Sequence, residues 1–312
     1  MSDIPNPFSA LDNLLNSYQK PNLAEWKSKM APLKKFLSSK LDQRKKVILA
    51  NQDQGVLSAN KRDEESPAIV RPKKTAFSIQ WAHHDDEIKE AQRLRYKVFA
   101  EEMGARLPET ESGLDIDEFD PYCDHLLVRD QETLKVIGTY RVLPPHKARE
   151  IGRLYSDSEF DLTRLNHLRP KLVEVGRSCV HVDYRSGAVI MSLWSGLGQY
   201  MQQNNYEIML GCASIPMADG GHYAASLYNS LTNDQLAPPE NHAFPKLSLP
   251  LERLNGSLSV EAPPLIKGYL KLGAKICSAP AWDPDFNTAD LLTMLRLSEI
   301  NPRYAKHFLN KN

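Results

Sequence analysis

Strand and helix patterns alternate along the chain from Ala76 onward, and their order constrains the fold more than any other feature. AFSIQWA is strand-like, and a helical stretch runs from His83 to about Glu102 with acidic residues in its first turn, where the helix dipole favours them. HLLVRD and LKVIGTYRVLP then form a strand pair, followed by a loop-rich stretch. KLVEVGRSCVHV, RSGAVIMSLWSGLGQYMQQNN and YEIMLGCASI predict strand, helix and strand. This order predicts an α/β (α+β) domain with a mixed central sheet flanked by helices.

The tail continues with a Pro-rich loop near 238–250, a short helix in PPLIKGYLKLGA and a strand in LLTMLRL. Residues 1–74 differ in character, because they carry 14 Lys+Arg against 8 Asp+Glu, a net charge of +6. Their apolar residues recur at helical spacing: Leu23, Trp26, Met30, Leu33, Leu37 and Leu41. We therefore expect a basic amphipathic helical extension and linker over 1–74 and one domain over 75–312. The apolar face either docks on that domain or lets residues 1–50 lie on an anionic membrane surface.

The composition limits which cellular compartment and which partners we expect for this protein. Formal net charge is zero, so bulk electrostatics indicate no nucleic-acid partner. The cysteines are far apart and form no Cys-x-x-Cys pair, which favours a reducing compartment (Cys123, Cys179, Cys212 and Cys277). No secretory signal and no run of about 18 apolar residues is found. We expect a cytoplasmic protein, with peripheral association with the inner membrane as an option.

A carboxylate and a guanidinium stand in an otherwise apolar strand, Leu172–Arg177. Glu174 and Arg177 face apart in a regular strand, because successive side chains alternate between its faces. Gly176 between them permits a bulge that brings both into one cleft. Buried charges destabilise a sheet unless they are paired or functional, so a simple ion pair is the alternative interpretation.

Three arginines on separate elements, Arg95, Arg141 and Arg177, suit a common carboxylate or phosphate group, which a guanidinium binds in bidentate fashion. An acidic loop precedes the second strand and contains Asp115, Asp117, Glu118 and Asp120. These carboxylates are solvated, bind a substrate ammonium, or pair with the arginines, and the sequence leaves all three open.

The sequence matches the known motifs of nucleophilic enzymes and of metal sites poorly. The chain contains no Gly-x-Ser-x-Gly, no phosphate-binding Gly-x-x-x-x-Gly-Lys-Ser/Thr and no His-Glu-x-x-His. Cys179 lies near Arg177, but a strand cysteine is usually a core residue rather than a nucleophile. The acidic loop is a poor calcium loop, because Asp120 and Leu126 replace the expected glycine and glutamate. We expect no metal and no cofactor.

Four motifs in chain order resemble those of the acyl-homoserine-lactone synthases: Arg-Tyr-x-Val-Phe at 95–99, Asp-x-x-Asp at 117–120, Gly-Thr-x-Arg at 138–141 and Glu-x-x-Arg at 174–177. Three downstream segments, HVDYRSGAVIMSLWSGLGQY, PPLIKGYLKLGAKI and DPDFNTADLLTM, resemble the bacterial ornithine-lipid acyltransferases, which make lyso-ornithine lipid. Both groups are similar to the GNAT fold of acetyl-CoA-dependent N-acetyltransferases. The resemblance covers about residues 76–310.

The resemblance implies a donor acyl group, often 3-hydroxylated, on acyl carrier protein and an amino-acid acceptor. It implies that Glu174 is the general base. It also implies substrate-binding positions at Arg95, Asp117, Asp120, Arg141 and Arg177, and acyl or phosphopantetheine positions at Phe99, Gly176, Arg185 and Gly187.

The turn at 184–189 departs from the GNAT pattern Arg/Gln-x-x-Gly-x-Gly/Ala, which favours a carrier-protein donor over CoA. We therefore expect an N-acyltransferase that acylates the α-amine of ornithine or a similar amino acid. The alternatives are a signal synthase that uses S-adenosylmethionine, a GNAT enzyme that acetylates a small amine, and a non-catalytic lipid- or protein-binding module.

Overall fold

The computed structural model describes residues 76–107, 113–185 and 187–308, and the side chains of 306–308 are outside the description. Lys73–Asn312 form one compact unit. The predicted amphipathic extension over 1–74 falls almost entirely on the other unit and lies outside the described residues, so it stays a prediction.

The main sheet contains eight strands in the order β1-β2-β3-β5-β6-β10-β8, with β9 paired to β10. All neighbours run antiparallel except β5 and β6, which run parallel. The predicted mixed central sheet is therefore confirmed. Its strands are β1 Phe77–Trp81, β2 Asp124–Asp130, β3 Val136–Leu143, β5 Leu172–Val180, β6 Ile208–Pro216, β8 Lys275–Ile276, β9 Ala281–Asp283 and β10 Thr288–Arg296; β4 Phe160–Asp161 and β7 Phe244–Pro245 form a separate pair.

Helices cover both faces of the sheet. They are α1 Asp85–Tyr96, continued by a π-helix Lys97–Glu102, α2 Pro145–Ile151, α3 Ala188–Gln203, α4 His222–Asn229, α5 Pro264–Leu272 and α6 Pro302–Phe308. In β2, Leu127 packs with Leu94 of α1, whereas Leu126 and Val128 pack with Leu193 of α3. Alternate residues of one strand thus pack against two different helices, as expected when side chains alternate between the faces of a sheet.

The sheet opens between β5 and β6. These strands pair only over Leu172–Glu174 and Ile208–Leu210, although both continue for several residues beyond. A Cβ built on Gly211 lies 2.2 Å from the carbonyl oxygen of Val175, so only glycine lets β6 pass β5 at the point where they separate. The separation leaves a cleft that begins directly after Glu174.

The predicted bulge in β5 is present, but its glycine has a different role. Arg141 pairs with Gly176 and Thr139 with Cys179, so β5 carries one extra residue there. The left-handed residue is Arg177, with φ 49°, and not Gly176. A Cβ on Gly176 meets nothing within 4 Å. The predicted bulge thus forms without use of the conformational freedom of Gly176, and ion pairs with Asp115 and Asp117 hold the strained Arg177.

The stretch between β3 and β5, expected to be loop-rich, contains helix α2 and two 3-10 segments, Tyr155–Asp157 and Thr163–Lys171. Helix α4 was also missed. These elements are too short to show a helical period in sequence. Within the described residues, no helix is both long enough and apolar enough to cross a membrane.

Candidate active site

A cavity of about 560 Å³ lies where β5 and β6 separate. Residues 174–180 of β5 form one wall and residues 212–214 of β6 another, and the hairpin of β9 and β10 contributes Asp283, Phe286 and Asp290. Of the site residues predicted from the sequence, Phe99, Arg141, Glu174, Gly176, Arg177 and Arg185 line this cavity. The cavity lining does not include Arg95, Asp117, Asp120 or Gly187.

Glu174 is the last residue of β5 that pairs with β6, and its side chain is only 5% exposed. Its carboxylate accepts hydrogen bonds from the backbone N–H of Tyr155 at 2.6 Å, the N–H of Ser156 at 2.7 Å and the Ser156 hydroxyl at 2.6 Å. Burial raises the pKa of Glu174, and the donors of Ser156 and Tyr155 oppose the rise without cancelling it. The result is a fixed carboxylate that is a stronger base than an exposed glutamate.

The ion-pair interpretation of Glu174 is wrong. Among the described residues Glu174 forms no salt bridge, and Arg177 pairs with Asp115 and Asp117 instead. Glu174 is held by Tyr155 and Ser156, and the sequence analysis did not predict a role for either of them. They stand on a 3-10 turn in which Asp157 caps the N–H of Leu154 at 2.8 Å, and that capping aspartate is the only sequence signal for the turn.

The three arginines meet the acidic loop. Arg95 is completely buried and binds Asp120 through both terminal nitrogens, at 2.8 and 2.9 Å, and Asp115 through Nε at 2.8 Å. Arg141 donates to Asp117 at 2.6 Å and to Asp120 at 3.2 Å. Three positive and three negative groups thus form one network.

This network decides between the three interpretations of the acidic loop. Asp115 and Asp120 are 0% and 4% exposed, so a solvated loop is wrong for these two. Burial alone favours the neutral carboxyl of Asp120, but hydrogen bonds and charge from Arg95 and then Arg141 hold its pKa well below the usual range. The aspartates are partners of the arginines, and the network fastens the loop to α1 and the sheet.

Arg177 differs from the other two arginines. Its contacts are longer: Nη2 lies 3.2 Å from Asp117, and the buried Nε lies 3.3 Å from Asp115 without the geometry of a hydrogen bond. The guanidinium lies over the rings of Phe286 and Tyr155, at 4.7 and 5.1 Å from their centroids. It lines the cavity with unused hydrogen-bonding capacity.

The remaining predicted positions are Phe99, Arg185 and Gly187. Phe99, on the π-helix, contacts Phe286 edge to face at 5.9 Å. Arg185 donates to the carbonyl oxygen of Val180 at 2.9 Å and to Glu102 at 2.6 Å. Gly187 caps α3 in a left-handed conformation with φ 91°, which favours glycine.

The cysteines of the described chain are poor nucleophiles. Burial raises the pKa of the Cys179 thiol to about 12, and raises that of Cys212 well above its usual value. Ligand atoms of Glu159, Cys212 and Asp290 lie within 4.8 Å of one another and form a candidate cation site. Because a thiol must lose its proton to bind a metal well, Cys212 weakens the metal interpretation of this group.

Comparison with known proteins supports the fold and the chemistry. The family model of an acetyltransferase (GNAT) domain matches residues 94–195. An L-ornithine N(alpha)-acyltransferase of Rhodobacter capsulatus is 36% identical over 252 residues, which cover 76% of this chain and 96% of the relative. An L-ornithine N(alpha)-acyltransferase of Agrobacterium fabrum is 38% identical over 244 residues, which cover 73% and 83%. The solved structure of an N-acyl amino acid synthase from uncultured soil microbes is 14% identical, covers 74% of this chain and 99% of that chain, and has a TM-score of 0.46.

The two sequence relatives are named for the same activity, and each aligns with this chain over most of its own length. The resemblance seen in the motifs is confirmed, as is the GNAT-like class of the mixed sheet with flanking helices. The chain is therefore an acyltransferase and belongs to the L-ornithine N(alpha)-acyltransferase family.

Proposed function

We propose that this protein transfers a fatty acyl group from acyl carrier protein to the α-amine of ornithine and so forms lyso-ornithine lipid. One observation carries the proposal: a buried, hydrogen-bonded Glu174 lines a cavity at the opening of the sheet, in a chain 35–38% identical to proteins named L-ornithine N(alpha)-acyltransferase.

Glu174 is the general base of this mechanism. The α-ammonium of the acceptor must lose a proton before its nitrogen attacks the thioester carbonyl carbon. Glu174 takes that proton directly or through a water, the C–N bond forms and the C–S bond breaks. The nitrogen then gives up a second proton to leave a neutral amide, and the departing thiolate takes up that proton. Its raised pKa suits this role. No covalent enzyme intermediate is needed, in agreement with the protonated thiols of the described cysteines.

Arg177 is the group that binds the acceptor's carboxylate. Of the arginines in the network, Arg141 and Arg177 line the cavity. Asp117 holds Arg141 at 2.6 Å, whereas the contacts of Arg177 with Asp117 and Asp115 are longer, 3.2 and 3.3 Å. A carboxylate fits such a guanidinium well. Arg95, Asp117 and Asp120 then position Arg141 and Arg177 rather than touch the acceptor.

A carrier-protein donor is supported by the state of Arg185. Its guanidinium is already engaged by Val180 and Glu102, so a CoA pyrophosphate would have to displace Glu102. We expect a higher kcat/KM with a 3-hydroxyacyl-carrier protein than with the CoA thioester of the same chain. Equal or higher kcat/KM with CoA contradicts this part of the proposal.

Mass spectrometry of lipids from cells that express the protein tests the whole reaction. We expect a new amide-linked ornithine lipid with the wild type and with the control Glu240→Gln, which removes an exposed carboxylate, and none above background with Glu174→Gln. If the wild type forms no acylated ornithine, the proposed function is wrong.

We also infer that the protein is cytoplasmic and associates peripherally with the inner membrane through residues 1–50, whose basic, amphipathic sequence supports the inference. Sedimentation with vesicles that contain anionic phospholipid measures the association. Deletion of residues 1–50 should lower the bound fraction, most strongly at low salt. Equal binding before and after deletion rejects the membrane role.

A further inference from the structure

We propose that Asp290, backed by Glu159, forms the subsite that binds the side-chain ammonium of the acceptor, so that the enzyme selects α,ω-diamino acids. This inference rests on the proposed function, because it assigns residues to the far end of the same substrate.

Asp290 is a buried carboxylate without a complete set of partners. It lies in β10, lines the cavity and is only 4% exposed, and its Oδ1 has no hydrogen-bond partner in the described part of the chain. Both carboxylate oxygens of Glu159 also lack a donor there, and Glu159 and Asp290 lie close enough to share a proton. A buried carboxylate without partners is costly, and a bound cation removes that cost.

The site has no cation of its own among the residues that the structure describes. No salt bridge there includes Asp290, Glu159 or Asp283, a third carboxylate that also lines the cavity. Burial, followed by the charges of Asp290 and Asp283, raises the pKa of Glu159 to about 9. Burial and the charge of Asp283 raise the pKa of Asp290 to about 6. These raised pKa values favour a proton on the pair, and an ammonium group can take the place of that proton.

The position of the site relative to Glu174 suits a short diamino acid. The Ser156 hydroxyl donates to Glu174 at 2.6 Å and lies 3.5 Å from the sulfur of Cys212. That sulfur lies within 4.8 Å of carboxylate oxygens of Glu159 and Asp290. The base and the acidic cluster are thus separated by two side chains, and an acceptor with nitrogens at both ends of a short carbon chain can reach both.

A metal ion is the competing occupant of this cluster. It would use the Cys212 thiolate as a ligand, whereas burial and neighbouring carboxylates raise the pKa of this thiol well above its usual value. An ammonium group needs only oxygen acceptors, which the unpartnered carboxylates supply. The observations therefore favour the ammonium.

Purified full-length protein is assayed with whichever thioester donor the wild type uses, and with ornithine, 2,4-diaminobutyrate, lysine and norvaline as acceptors. Norvaline has the carbon chain of ornithine without the terminal amine. The variants are Asp290→Asn and Glu159→Gln, with Glu240→Gln as the exposed control. Thermal unfolding is measured for each variant, and every assay is repeated with EDTA.

We expect the wild type to prefer ornithine over norvaline by ~100-fold or more in kcat/KM, because a site built for a polar group rejects an analogue that lacks it. Asp290→Asn should reduce that ratio ~10-fold or more, Glu159→Gln should reduce it less, and the control should keep it. Neither variant should lower the melting temperature, since each amide keeps the shape of the carboxyl group and weakens the repulsion between neighbouring buried carboxyls.

Three results would overturn the inference: no preference for ornithine in the wild type, an unchanged ratio in folded Asp290→Asn, or activity lost in EDTA and restored by a metal ion. Failure of the proposed function looks different, because the wild type then acylates neither ornithine nor norvaline.

Discussion

Replacement of Glu174 by glutamine tests the catalytic assignment with little change in shape. The two hydrogen bonds from Ser156 end on Oε1, at 2.7 and 2.6 Å, and the glutamine carbonyl can keep both. The N–H of Tyr155 donates to Oε2 at 2.6 Å, where glutamine places an NH₂ group. One donor therefore loses its acceptor, at a cost of ~1–3 kcal/mol. Removal of a buried charge offsets part of that cost.

The kinetic effect is expected to be larger than the effect on stability. General-base catalysis contributes ~10²–10⁴-fold to a rate, which corresponds to ~3–5 kcal/mol of activation free energy. We expect kcat to fall by that factor in Glu174→Gln, with the control Glu240→Gln unchanged. Release of the free thiol from the donor measures the rate, and mass spectrometry of the acylated amino acid confirms the product.

The pH profile separates a base from a structural residue. The wild-type rate should rise with pH as the raised pKa of Glu174 is passed, because only the carboxylate accepts the proton. Ser156→Ala removes a donor that lowers this pKa, so the rising limb should move to higher pH. Glu174→Gln should lack the limb. A folded Glu174→Gln variant with wild-type kcat, or with the same limb, would refute the assignment.

Three further predictions concern the network, the bulge and the acidic cluster. Asp120→Asn should cost ~3–5 kcal/mol of unfolding free energy in urea, because buried Arg95 loses a bidentate partner, whereas Asp183→Asn, at an exposed site, should be nearly neutral. Gly176→Ala should leave thermal stability within ~0.5 kcal/mol but raise KM, since its Cβ meets no protein atom and enters the cavity; unchanged kinetics would contradict this. The folded pKa values of Glu159 and Asp290, about 9 and about 6, are raised above their unfolded values, so the stability that these protons contribute should be lost as pH rises from about 4 to about 9. Urea titrations should show a smaller loss in Glu159→Gln, and an equal slope would reject the raised values.

Much of the fold follows from local patterns. The apolar alternation of LKVIGTYRVLP and the one-sided spacing of the helix that begins at Asp85 predict β3 and α1, because burial on one face requires those periods. Helix α2 and the turn at Tyr155–Asp157 were missed, because one or two turns of helix leave no period to detect. The bulge in β5 was anticipated, but only the register with β3 shows that Arg177 takes the left-handed conformation.

The sequence singled out the three arginines and the acidic loop, but it did not show which of these residues pair with one another. Arg95 and Asp120 are 25 residues apart and Arg177 and Asp117 are 60 apart, so sequence spacing could not decide whether the aspartates face solvent, substrate or arginine. The acidic cluster had no sequence signal, since Glu159 and Asp290 lie on different elements. Strand register places Asp290 opposite Ser214, which is two residues from Cys212 along β6 and therefore on the same face of the sheet.

The sequence by itself determined the class of fold, the acyl-transfer chemistry and the choice of Glu174, because strand and helix periods and ordered motifs are local properties of the chain. Only the tertiary structure decided which charges neutralise one another and which remain unpaired. The physical reason is that pairing and burial depend on the separation of β5 from β6 and on the loop and hairpin packed over it. Arg95 is thereby buried away from the cavity, Arg177 lines it, and Asp290 has no ion pair with any residue that the structure describes.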